Sequence, residues 1–171
     1  MNLLIISSSL SKNSQSRMMA KYASNYLVAK SVSVEMIDLR DFDLPICDGD
    51  DSSNIPIVKD LKTKISKAHG ILIATPVYNF NVNAAIKNLI ELTGSAWTDK
   101  VVGFICSAGS KNSYMAVMGL ANSLMLDFRC IIIPRSVYSS DNADQLGDSV
   151  KERLNNLSSE LIRFVKGLKN E

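Results

Sequence analysis

Histidine and cysteine are scarce in this chain, which removes most metal and acid–base chemistry at the outset. His69 is the one histidine, and the cysteines are Cys47, Cys106 and Cys130. No His/Cys or His/carboxylate cluster has metal-ligand spacing, and an odd, scattered cysteine set suits a reducing compartment better than a disulfide framework. An excess of charge is also missing. The 19 Lys and Arg against 17 Asp and Glu leave a net +2, too balanced to point to nucleic acid or a membrane surface. Long apolar runs are absent. The N-terminal one, Leu3 to Ile6, falls far short of a signal-peptide core or a bilayer span, so a cytoplasmic location is the expectation. Neither G-x-x-x-x-G-K-[ST] nor a strand-flanked G-x-S-x-G occurs, which leaves triphosphate hydrolysis and serine hydrolase chemistry without support.

What is present is rhythm. With 46% hydrophobic and 21% charged residues, the chain reads as a single globular domain over residues 1–171. Short apolar runs alternate with longer amphipathic ones. Strands are expected at Leu3–Ile6, Val32–Met36, Ile71–Ala74 (stopped by Thr75-Pro76), Val101–Cys106 and Cys130–Ile133 (closed by Pro134). Between them lie helical stripes: Met19, Ala23, Tyr26 and Leu27; Val58, Leu61 and Ile65; Ile86, Leu89 and Ile90; Met115, Met118, Leu120, Leu124 and Met125. Last comes Val150, Leu154, Leu157, Leu161, Val165 and Leu168. Asp41 to Pro56 is a polar loop and the expected flexible segment, and His69 is expected to cap the second helix.

Strands alternating with helices predict an α/β three-layer sandwich around a five-stranded parallel sheet in order 2-1-3-4-5, the flavodoxin-like arrangement. Ligands of such sheets bind beyond the carboxyl ends of the strands, where the winding reverses, here between the first and third strands. The loops there are Ser7–Ser16 and Thr75–Val82, with Ser107–Asn112 beside them. The first packs Ser7, Ser8, Ser9, Ser11, Ser14 and Ser16 around Lys12, Asn13 and Gln15, directly before a helix. Free N–H groups and a helix N-terminus suit a phosphate, although such serines can also do no more than cap the helix.

The middle loop is the most distinctive. Thr75-Pro76-Val77-Tyr78-Asn79-Phe80-Asn81, with Lys87-Asn88 on the following helix, resembles the TP-x-YN…KN signature of the NADPH-dependent FMN reductase family. The first loop is similar to that family's GSxRxxS phosphate motif, and Ser107-Ala108-Gly109 to its third flavin loop. The resemblance implies an enzyme that binds FMN and takes hydride from NADPH or NADH by a ping-pong scheme. It also implies a small-molecule acceptor (a quinone, free flavin, azo or nitro compound, or metal oxyanion) and a homodimer or homotetramer, with Trp97 and Met115–Met125 as interface candidates.

The resemblance assigns the phosphate to Ser9 and Ser14, with Ser11, Gln15 and Ser16 of the same loop also expected to bind the cofactor. The ribityl chain and isoalloxazine fall to Pro76, Val77, Tyr78, Asn79 and Phe80, and the pyrimidine edge to Ser107, Ala108 and Gly109. Two departures stand out: Ser8 replaces the motif glycine and Ser11 the motif arginine, a loss that either the loop's hydroxyl and N–H donors offset or Lys12 or Arg17 makes good in charge. Lys111 either faces the flavin or is simply solvated, and Lys87 and Asn88 read as structural or interface residues. No catalytic side chain is expected, because the cofactor carries out the redox chemistry. The other reading is a flavodoxin-like electron carrier without NAD(P)H turnover.

Overall fold

A computed structural model describes residues 1–140 and 145–169. The chain runs β1 (Asn2–Ser7), α1 (Gln15–Ala29), β2 (Ser33–Asp38), α2 (Pro56–Lys67), β3 (Gly70–Tyr78), β4 (Asn81–Val82) and α3 (Ala84–Thr93). It continues with β5 (Val101–Ser107), α4 (Met118–Phe128), β6 (Ile131–Ile132), β7 (Val137–Ser139) and α5 (Asp148–Lys169).

The sheet holds seven strands rather than five, with core order β2-β1-β3-β5-β6. Leaving out the two-residue β4, this is the predicted winding, parallel throughout its core. The two added strands have local causes. The expected fifth strand is present as β6, and Pro134, which cannot donate to a ladder, ends it as expected; β7 is a further short strand beyond that proline, and both pair with β5. Ile131 is exposed, as suits an edge. β4 arises because β3 does not stop at Pro76 but runs on to Tyr78 and folds back as a hairpin. Proline is tolerated within β3 because the carbonyl of Ala74 faces β1, accepting the Ser8 N–H at 2.9 Å. Two residues later Pro76 faces the same side, beyond the end of β1 at Ser7, where the Ser8 carbonyl accepts from Asn83 Nδ2 instead, so the missing N–H orphans no acceptor.

Both faces of the central strands are buried, which is why they read as continuous apolar runs. Leu4, Ile6, Ile71, Ile73, Val102 and Phe104 pack against α2, α3 and α4. Leu3, Ile5, Leu72, Ala74 and Ile105 meet α1 and α5 on the other face. α5 lies so close to the sheet that a Cβ on Gly70 would approach Val165 to 2.7 Å, and one on Gly103 would approach Leu157 to 3.0 Å. Trp97 belongs to the core: it is fully buried and its indole N–H donates to Thr93 Oγ1 at 2.8 Å. That removes it from the interface candidates. Met115, Met118 and Met125 are exposed. His69 ties the head of β3 to β1, its Nδ1 accepting the Asn2 N–H at 3.0 Å. The 41–56 segment is held as well. Asn88 donates to Pro45 O and accepts from Cys47 N, both at 2.8 Å, which gives the Lys87-Asn88 pair a structural use. Among the described residues, no helix is long and apolar enough to cross a membrane, and no group of metal-ligating side chains gathers.

Candidate flavin-phosphate site

The three polar loops converge over the carboxyl ends of β1, β3 and β5. They enclose a cavity of about 180 Å³ lined by Ser9, Ser11, Asn13, Ser14, Gln15, Pro76, Val77, Tyr78, Ser107, Ala108 and Gly109. Ser16, Asn79 and Phe80, also named from the sequence, lie outside that lining, and Asn13 was missed. A larger hollow of about 470 Å³ lies beyond Leu10, walled by Phe42, Leu44 and Ile46. It is mostly apolar, with Asp43, Lys87, Asn88 and Glu91 also in its lining, and lacks the serine donors gathered at the strand ends.

The first loop prepares donors. Ser14 is the N-cap of α1, its Oγ accepting the Arg17 N–H at 3.1 Å while lying 3.0 Å from Ser16 Oγ. Ser16 is fully buried and braces Ser14 instead of reaching the cavity. Ser9 Oγ accepts from Ser11 N at 3.4 Å, which leaves its own proton to donate outward. Ser11 Oγ donates to Asn13 O at 3.3 Å. None of the side chains lining the cavity carries a charge, and Lys12 and Lys111 are both exposed and outside it.

Arg17 is not directed into the cavity. It is 5% exposed and runs behind the loop. Its Nε donates to Asp38 Oδ2 at 2.6 Å, one terminal nitrogen to Ser11 O at 2.8 Å and Lys12 O at 3.4 Å, and the other to Ser9 O at 2.5 Å. Asp38 also receives the Arg40 guanidinium at 2.8 Å. Burial pushes the Asp38 carboxyl up, but the hydrogen bonds from Arg40 and Arg17 outweigh it and hold it below the usual carboxylate range.

Asn83, which no motif reading singled out, joins the first two loops. Its Nδ2 donates to Ser8 O at 2.7 Å, and its Oδ1 accepts from Ser8 Oγ at 2.7 Å and Thr75 Oγ1 at 3.1 Å. Ser8 at the motif-glycine position is thus a buried structural residue. Its position before α3 marks Asn83 as a helix cap, yet its side chain makes no cap bond. Asn79 (φ 51°) and Phe80 (φ 60°) form the hairpin tip, both left-handed. Asparagine tolerates that region and phenylalanine is strained there. Phe80 is also exposed. The third loop is fastened by β7: Ala108 N donates to Ser139 O at 2.9 Å, and the Tyr138 hydroxyl donates to Ser110 O.

These residues fit a mononucleotide phosphate. Hydroxyl and amide donors and a helix N-terminus meet at one point, and the cavity's size matches a phosphate with part of a polyol chain. A Cβ on Gly109 would meet no protein atom within 4 Å, so the fold does not require glycine there and the rim stays open for a flat ring.

A doubly wound parallel sheet with a hydroxyl-lined, uncharged cavity at its switch point is the architecture of a flavodoxin-like mononucleotide-binding protein. More narrowly, residues 1–145 match the NADPH-dependent FMN reductase family, and the chain belongs to that family. It is 26% identical over 150 residues to an NAD(P)H-dependent FAD/FMN reductase of Geobacillus thermodenitrificans, covering 84% of this chain and 81% of that one. It is 25% identical over 170 residues to an NADPH azoreductase of a Bacillus species, covering 96% and 93%. Among solved structures, a flavoenzyme NAD(P)H:(acceptor) oxidoreductase from Paracoccus denitrificans superposes with a TM-score of 0.80 at 20% identity, covering 97% of each chain.

Proposed function

We propose that this chain holds FMN with its phosphate in the cavity at the head of α1 and works as an FMN-dependent NAD(P)H oxidoreductase of the cytoplasm. Ser9, Ser11, Ser14, Gln15 and the backbone N–H groups of Lys12 and Asn13 would take the phosphate. Pro76, Val77 and Tyr78 would lie along the ribityl chain and ring, and Ser107, Ala108 and Gly109 would meet the pyrimidine edge. When bound, FMN supplies the redox step, accepting hydride from NADPH or NADH and passing electrons to a quinone, free flavin, azo compound or other small acceptor. The protein's share is to bind, orient and leave one face of the ring open. Tyr78 is the one ionisable side chain in the lining, and no carboxylate, histidine, lysine or cysteine stands beside it.

One observation carries the reading: in a chain of this family, the uncharged donor-lined cavity lies at the point where the sheet reverses its winding. Purified protein titrated with FMN should show perturbed flavin absorption and then oxidise NADPH or NADH with a quinone acceptor. Protein that takes up no FMN would refute it.

Phe80, Tyr114, Met115 and Met118 are all exposed, apolar side chains whose burial in a homodimer or homotetramer would be favourable. Met118→Lys should dissociate the assembly without unfolding the chain. A sizing profile unchanged from that of the parent would reject this face as the interface.

A further inference from the structure

The cavity's chemistry leaves one deficit. A phosphate dianion is to be held there by neutral groups alone, because no lining side chain is charged. The buried cation of this loop is turned away from it. Arg17, in the first turn of α1, is buried against the back of the loop with every terminal nitrogen engaged on backbone carbonyls or Asp38. A cation at a helix N-terminus opposes the dipole, and burying a guanidinium is costly unless it is fully bonded. This one therefore has a use that outweighs both.

Two consequences follow from the bonding. In a trans peptide the C=O of one residue and the N–H of the next point in opposite directions. Gathering the carbonyls of Ser9, Ser11 and Lys12 turns the N–H groups of Leu10, Lys12 and Asn13 away from the guanidinium, to the other side of the loop. Moreover, the carboxylate that pairs with Arg17 is shared. Asp38 accepts from Arg17 and Arg40 together, so its charge is divided between two guanidiniums and offsets that of Arg17 only in part; Arg40 has the exposed Asp41 acting on it as well.

We propose that Arg17 is the positioning residue of the phosphate loop. From behind it holds three carbonyls back and aims the loop's N–H groups at the phosphate, and it supplies the positive charge that the cavity lining lacks. Its effect is selective for the phosphorylated flavin: it strengthens FMN binding and leaves riboflavin binding nearly untouched. The inference rests on the flavin-phosphate site proposed above.

The test is the ratio of FMN to riboflavin affinity, read by flavin fluorescence quenching on apo protein, for the parent and for Arg17→Gln, Arg17→Lys and Arg129→Gln. A merely structural role would lower both affinities together. The expected result is a preference for FMN in the parent that falls about tenfold or more in Arg17→Gln, since bonds to a charged group are the stronger ones. Riboflavin affinity should change less than about threefold on the same grounds. Arg129 makes only an exposed pair with Asp99, and its variant should match the parent. If Arg17→Gln does not fold, Arg17→Lys decides: it keeps the charge but not the planar fork, and the preference should still fall. An unchanged ratio in the folded Gln variant, or in the Lys variant when Gln fails, overturns the assignment. A parent that binds riboflavin as tightly as FMN overturns the phosphate site itself, and this inference with it.

Discussion

Replacing Asn83 by alanine tests whether the site depends on a residue that touches no ligand. The amide makes one bond to the Ser8 carbonyl and accepts one each from the Ser8 and Thr75 hydroxyls. The two hydroxyls have second partners, Ser8 Oγ on Ala74 O at 3.3 Å and Thr75 Oγ1 on Pro76 O at 3.1 Å. Truncation therefore orphans only the Ser8 carbonyl outright. An orphaned buried acceptor costs about 1–3 kcal/mol, and weakening two neutral bonds adds about 1 kcal/mol more. Asn83→Ala should accordingly lose roughly 2–4 kcal/mol in urea unfolding of the apo protein, as a lower midpoint at unchanged slope. FMN affinity should fall as well, because Ser8 precedes Ser9 and the staple sets the distance between the first two loops. Asn83→Asp should be worse near neutral pH, since it replaces the donor by a buried, charged oxygen facing the Ser8 carbonyl. A variant within about 0.5 kcal/mol of the parent, binding FMN equally well, would refute the claim that this amide organises the site.

The Ser9→Ala, Ser14→Ala double variant should weaken FMN binding by about 2–4 kcal/mol if each hydroxyl bonds the phosphate. Ser14→Ala alone should also cost about 1 kcal/mol of stability through the lost cap. An unchanged dissociation constant would remove this loop from the site. Burial pushes the Cys106 and Cys130 thiols up to about 12 and about 11, so a thiol reagent near pH 8 should label Cys47 in the native state and the other two only after unfolding. Rapid native labelling of more than one thiol would contradict the packing. The Asp38 carboxyl is held below its ordinary value of 3.8. Its stabilisation is therefore present above that value and lost as pH falls through the lower folded one. The deficit of Asp38→Asn relative to the parent should be full near neutrality and shrink in acid. A deficit that stays constant with pH would refute an ionic role.

The sheet order was legible because strands buried on both faces have no alternation to misread, and because helical stripes separate them. Three kinds of feature were not. Pro76 looks like a strand stop because proline lacks an N–H, and only the neighbouring strand's end at Ser7 shows that no N–H was needed there. Asn83 precedes a helix, so its type and place say cap, while the hydroxyls it joins lie 8 and 75 residues away. Ser16 and Phe80 belong to the right strings but point elsewhere, one into the helix packing and one into solvent at a left-handed hairpin tip. Arg17 was legible as a source of charge for the phosphate but not as a brace behind the loop. A basic residue in the first turn of α1 works against the helix dipole, and the absence of any acidic residue there left Arg17 unexplained by local rules.

Where the positive charge lies should decide how salt acts on cofactor affinity. Exposed lysines on the loops would attract a phosphate through water, and their contribution would fade as the Debye length shrinks from about 14 Å near 0.05 M salt to about 4 Å near 0.5 M. Buried charge and fixed dipoles are screened far less. The cavity is lined by neutral donors and backed by a guanidinium that is 5% exposed, whereas Lys12 and Lys111 stand outside the lining. FMN affinity of the parent should therefore fall by less than about threefold across that range. Lys12→Gln and Lys111→Gln should each lie close to the parent at every salt concentration. A fall of about tenfold or more that disappears in either lysine variant would move the charge from behind the loop to its surface. Arg17 would then be a brace for the fold and Lys12 or Lys111 the phosphate's partner.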